Sequence, residues 1–265
     1  MATDSEQSLG GKPRFRRGAA IVALVLGLIG FVVCAAAAAI AVLPRHFTTG
    51  EQQQIMAWEV QKRWRAMQAG QIFPATVGYS LPDGIVSDDP PLTLRAVRIA
   101  IAPQAGCAAA VTSPAAASLL HRNGCAAILR ATYIDQTSSF VVTVGVAVLP
   151  TPGAASSVSS GLAGPQLAAV RKPGVLPPGV STVRFNGVAS GLYDYSRQIS
   201  STMPAGPYLV MYAAGYSDGR PHVQLAHDSY SQAEMASMAQ GVASSVAGDL
   251  GTPPPPPHCP GGPGC

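Results

Sequence analysis

Gly215-Tyr216-Ser217-Asp218-Gly219 matches G-x-S-x-G, a spacing that can present a nucleophilic serine on a strand-to-helix turn beside an oxyanion hole. With a base among His121, His222 and His227, such a serine would hydrolyse esters or amides. The flanking residues argue otherwise. Arg-Pro-His-Val-Gln-Leu follows Gly219 and reads as a second strand, where a nucleophile elbow needs a helix. Ser, Asp and Gly are also the residues a hairpin turn selects for its own backbone. His222 and His227-Asp228 could be imagined as a metal or acid–base cluster, but H-x4-H at the end of a strand is no ligand spacing. Asp228 suits the start of a helix, where the dipole favours a carboxylate. The chain lacks a P-loop, an H-E-x-x-H and a dinucleotide fingerprint. Its acidic residues are too scattered to nominate a glycosidase pair. No catalytic residue, metal ligand or cofactor is assigned from the sequence.

Cysteine offers the other chemistry. Cys34 lies in an apolar run, leaving Cys107, Cys125, Cys259 and Cys265. Cys107 and Cys125 bracket a short helix, the first closing a strand and the second opening one, and a disulfide between them is expected in an oxidising compartment. Cys259 and Cys265 could close a small loop in the tail or pair between chains. His258 beside them is poor support for a metal site.

The run Gly18–Leu43 carries no charge and is long enough to cross a bilayer. Lys12, Arg14, Arg16 and Arg17 precede it and Arg45 follows, so the positive-inside rule puts residues 1–17 in the cytoplasm and the rest outside. A cleaved signal peptide is the competing reading, though its apolar region would be shorter. The expected organisation is a basic cytoplasmic tail (1–17), a membrane helix (18–43), a juxtamembrane helix or stalk (44–70), an extracytoplasmic domain (71–251) and a Pro/Gly-rich tail (252–265). Only 11% of the residues are charged. The thirteen basic and eleven acidic residues after the apolar run form no clustered basic face, which excludes nucleic acid as a natural partner.

The elements that would position these residues follow from periodicity. Residues 51–69 predict a helix with Met56, Val60, Trp64 and Met67 in one stripe. That stripe either packs on the domain behind it or leaves Trp58 and Trp64 near lipid headgroups. Leu92–Ala102 reads as a strand, Ser113-Pro114 opens a short helix and Asn123-Gly124 closes it. Ala126–Ile134 and Phe140–Leu149 flank a polar turn as a hairpin. The second of these strands is apolar on both faces and should be central.

Residues 151–181, rich in Pro, Gly, Ser and Ala, read as a long loop with a brief helix at Leu162–Val170. Thr182–Phe185 reads as a short strand. Tyr208–Tyr216 and His222–Ala226 read as a second hairpin about Asp218-Gly219, with Tyr208, Tyr212 and Tyr216 on one face as the candidate binding surface. A Ser231/Glu234 capping box then opens a helix whose face is Met235, Met238, Val242, Val246 and Leu250. The fold class expected is α+β: a largely antiparallel sheet covered by helices.

The strings AGQIFP (69–74), IAPQAGC (101–107), HRNGCAAILRATYID (121–135) and VTVGVAVLP (142–150) resemble a family of actinobacterial membrane proteins. That family has a basic N-terminus, one membrane helix and an outer domain in the same order. The shortage of lysine, three against fourteen arginines, agrees with GC-rich coding. The resemblance implies no activity, cofactor or site residue. The reading favoured is a non-enzymatic binding or assembly module at the cell envelope, with the bilayer and a protein or envelope component as partners. The alternatives are a serine hydrolase using Ser217 and a structural subunit of a larger membrane assembly.

Overall fold

The computed structural model describes residues 15–42, 48–81, 93–170, 176–222 and 229–252. Residues 50–256 form one compact unit, and helix α1, Phe15–Val42, belongs to another. Described side chains on α1 are those of residues 21–35, all exposed. Among the described residues no helix is long and apolar enough to cross a membrane.

In the larger unit, α2 (Thr49–Ala66) and α3 (Ala69–Ile72) lead into strands β1 (Thr76–Ser80) and β2 (Thr93–Ala105). Helix α4 (Pro114–Arg122) precedes the hairpin β3 (Ala127–Asp135) and β4 (Phe140–Val148). Then come α5 (Pro152–Val170), the hairpin β5 (Arg197–Ala205) and β6 (Tyr208–Tyr216), and α6 (Ser229–Gly251). The strands form one antiparallel sheet in the order β1-β2-β3-β4-β6-β5. The fold is α+β.

Every residue of β4 is buried. One sheet face, with Tyr133, Val142, Val144, Val146 and Val210, packs under α6 and α2. The predicted α6 face of Met235, Met238, Val242, Val246 and Leu250 is wholly buried there. The other face, with Ile128, Ala147, Leu209 and Met211, packs under α4 and α5. Local chemistry sets the boundaries of these elements. Ser113 Oγ accepts the Ala116 N–H at 3.1 Å, Pro114 follows it, and Gly124 ends α4 at φ +73°. Asp135, almost fully buried, caps its hairpin by accepting the N–H groups of Thr137 at 2.7 Å and Phe140 at 2.6 Å.

The α2 stripe packs on the domain. Val60 is buried, and Trp64 and Met67 lie against the core. Tyr208 fixes this contact. Its hydroxyl donates to the Val60 carbonyl at 2.5 Å and accepts the Trp64 N–H at 3.3 Å, sitting inside one turn of the helix ladder.

Several expectations are corrected. The helix expected at Leu162–Val170 is present but starts at Pro152, so residues 152–161 are helix, not loop. Thr151 caps it, accepting the Ala154 N–H at 3.1 Å, and Ala155, Val158 and Leu162 make its buried stripe. Its small residues serve close packing: a Cβ on Gly161 would stand 2.7 Å from Leu119 of α4. Residues 182–185 are not a strand. Thr132 and Thr143 hold this segment across the sheet by side-chain bonds to Val183 O at 2.8 Å and Val183 N at 3.1 Å. The second hairpin is β5–β6 about Gly206-Pro207, and β5 was not foreseen. His222 lies outside any strand, and residues 223–228, with His227 and Asp228, fall outside the described residues. Ser231 lies inside α6, which starts at Ser229, so it is not the cap.

Cys107 and Cys125 form the expected disulfide, closing 18 residues around α4. The Cys259/Cys265 pair lies outside the described residues. Replacing Cys107 and Cys125 by serine is expected to lower stability by about 3 kcal/mol, measured by denaturant unfolding against the reduced and oxidised parent.

Candidate functional site

Ser217 N–H bonds the Ser139 carbonyl at 3.0 Å, and its Oγ donates to the Ser138 carbonyl at 2.5 Å. The hydroxyl therefore ties the two hairpin ends together. Among the described residues after Gly219, 220–222 form no helix, so the oxyanion geometry of an elbow has no counterpart there. The flanking glycines have packing reasons. A Cβ on Gly215 would lie 2.6 Å from Ser196 O, and Gly219 takes φ +74° with its Cα face against Gly191. His222 Nδ1 donates to the Arg197 carbonyl at 2.8 Å, and His121 sits in the last turn of α4. A polar hollow of about 400 Å³ adjoins the turn, lined by Ser138, Ser139, Ser217, Ser231 and the Asp218–Arg220 ion pair. Arg220 also lies 4.3 Å from the Tyr216 ring centroid and holds the Asp218 carboxyl below its usual range.

The tyrosine surface is corrected as well. Tyr208, Tyr212 and Tyr216 do share one face, but that face is the one under α6. Tyr208 is fully buried, Tyr216 nearly so, and Tyr212 packs against the same core. Tyr208 and Tyr216 are closed to a partner, and Tyr212 is only partly exposed.

The concave surface lies elsewhere. A groove of about 550 Å³ runs between α2, the β4–α5 connection and the β5–β6 turn. Met56, Ala57, Trp58 and Val60 form one wall, with Gln53, Gln54 and Gln61. Pro150, Thr151, Pro152, Gly206, Pro207 and Gly251 form the rest. Each part is positioned by local bonds. Gln61 Nε2 donates to Pro150 O at 3.0 Å, joining α2 to the β4–α5 connection. Arg63 Nη1 donates to Asp249 O at 3.0 Å, tying α2 to the end of α6. Trp58 is 52% exposed, and the Lys62 ammonium lies 3.1 Å from its ring centroid, a cation–π contact that orients the indole. Across the Gln61–Pro150 bond lies a smaller hollow of about 270 Å³ lined by Lys62, Trp64 and Arg65.

Among the described residues, none that lines the larger groove is ionisable. Its polar groups are amides and one threonine, which can orient a ligand but cannot exchange protons with it. Sequence reasoning missed this site because four segments distant in sequence build it. Its one local signal is Trp58, an aromatic off the buried stripe.

Ionisable groups with displaced pKa values gather at the opposite end of α6. Glu234 is pushed up by burial and by the Asp135 carboxylate. The Tyr79 hydroxyl, buried with no hydrogen-bond partner among the described residues, is pushed up by burial and by Glu234. For Glu234 and Tyr79 burial and the neighbouring negative charge act in the same direction, which disfavours their ionisation. A carboxyl whose folded pKa is raised binds its proton more tightly folded than unfolded. It therefore costs stability as pH rises through the carboxylate range. Glu234→Gln is expected to raise the thermal midpoint at neutral pH and to lose that advantage near about pH 4, where the parent carboxyl is also neutral. For the Ser217 turn, labelling by a fluorophosphonate probe is expected to be the same in the parent and in Ser217→Ala. In comparisons with protein-family models, curated proteins and solved structures, the chain matches none.

Proposed function

We propose that this protein is a non-enzymatic binding module, tethered to the membrane by residues 18–43, that holds a protein or cell-envelope component outside the cytoplasm. The observation that carries this reading is the groove along α2: concave, predominantly apolar, with no ionisable side chain among its described lining residues and fronted by a half-exposed tryptophan. A site of that kind recognises by burial and shape, with tryptophan the residue most often dominant in such contacts. The tether is supported by the uncharged run and the basic residues before it. The exposed apolar side chains from Ile21 to Val33 also suit lipid better than water. The Cys107–Cys125 disulfide suits an oxidising compartment. No feature of the Ser217 turn favours the hydrolase alternative.

The test is crosslinked copurification of the full-length protein from its native membrane, with mass spectrometry of what it carries. Trp58→Ala, and separately Ala57→Arg in the groove wall, are expected to weaken a captured partner by about 2 kcal/mol, roughly 30-fold. Tyr195→Ala, at an exposed ring away from the groove, should leave capture unchanged. Undiminished capture by both groove variants would overturn this choice of surface.

A further inference from the structure

We propose that the groove is occupied in the resting protein by the chain's own Pro253–Pro256, docked as a polyproline segment against Trp58. The inference rests on the groove being the binding surface, and adds which ligand chemistry it takes and what competes for it.

The exit of the chain carries the argument. Gly251, the last residue of α6, itself lines the groove. Its position is tight: a Cβ there would lie 3.1 Å from Ala205, next to the Gly206-Pro207 turn that forms one wall. The Thr252 N–H still bonds Gly248 O at 3.1 Å, so the chain direction is held to that point. Pro253–Pro256, which lie outside the described residues, come next. Prolines cannot continue the helix, since they lack the N–H and clash with the preceding turn.

Length and chemistry then agree. Four residues of polyproline II span ~12 Å at about 3.1 Å each. The α2 wall from Gln53 to Gln61 spans ~12 Å at 1.5 Å per residue. Proline-rich segments are recognised by aromatic-lined grooves, which pack the pyrrolidine rings and donate hydrogen bonds to carbonyls that have no helical partner. The indole of Trp58, the rings of Pro150 and Pro207 and the amides of Gln53 and Gln54 supply those groups. Because the segment is covalently attached at the groove edge, its effective concentration is in the millimolar range, and a weak contact suffices to fill the site. An external partner, a proline-rich chain above all, must then displace the tail.

Trp58 can report on this directly, because the chain has two tryptophans and Trp64→Phe leaves it alone. Full-length Trp64→Phe protein in lipid nanodiscs would be compared with the same protein carrying Pro253→Ser, Pro254→Ser, Pro255→Ser and Pro256→Ser. Near-UV circular dichroism would check that both are folded. Docking predicts that acrylamide quenching of Trp58 rises about twofold in the serine variant, the change expected when a half-occupied or better site is vacated. A synthetic peptide carrying residues 252–256 should restore protection in the serine variant and bind the parent several-fold more weakly. Equal quenching in the two proteins overturns the proposal. So does equal binding of the peptide by both, which would mean a groove that takes polyproline but not its own. Neither readout needs a partner. Protection by the tail with no captured partner would remove the binding-module reading alone, and capture with equal quenching would remove tail docking alone.

Discussion

Burial of β4 on both faces is the constraint from which the architecture follows. A strand with no exposed residue can exist only if something covers each side, and the two coverings are chemically different. Toward α6 and α2 it presents Val142, Val144, Val146 and Val148, which need apolar helix faces. On the other side it presents Val141, Thr143, Gly145 and Ala147, a narrow and partly polar strip. Gly145 lets Val180 approach so closely that a Cβ would stand 2.6 Å from its side chain. Thr143 holds the crossing segment through Val183. One face therefore carries α6 and α2 by hydrophobic area. The other carries α4 and α5 over Ala147, and irregular chain over Thr143 and Gly145 by hydroxyl bonding and close approach.

This division explains what could be read from the sequence. The β3–β4 hairpin, α4 and the buried face of α6 are announced within a few residues of themselves, by alternation, by Ser113-Pro114 and by a methionine–valine stripe. The disulfide was legible because its two cysteines bracket an element whose ends were already marked. The first half of helix α5 was not, because Gly, Ser and Ala signal flexibility in isolation. Here they signal contact with α4, through Gly161, and a hydroxyl bond from Ser159 to Thr202 at 3.0 Å. Strand β5 hid for a related reason. It is an edge strand with a bulge and a proline near its end, features that edges tolerate and that erase alternation.

The candidate site was harder still. The motif that looked chemical, around Ser217, is explained by turn geometry and by backbone packing on Gly191. Of the tyrosines read as a binding surface, Tyr208 and Tyr216 are interior and Tyr212 is partly buried, since α6 covers β6 on the face they occupy. The groove has no linear signature at all: it exists only because Gln61, Arg63 and Tyr208 bring α2 against two turns and a helix end that are distant in sequence. A search by motif looks for reactive residues close together in the chain, and a recognition groove of amides and prolines offers none.

Tyr208 also sets a limit of a different kind. Its hydroxyl donates to the Val60 carbonyl and accepts from the Trp64 N–H within one turn of α2, so the position demands an atom of two-way valence at a fixed reach from the sheet. Phenylalanine matches the ring and leaves both backbone groups unanswered. A histidine of either tautomer has a donor and an acceptor on separate atoms. Mutational tolerance at this site is therefore bounded by valence and not by volume, so a residue of nearly identical size can be as disruptive there as a much smaller one.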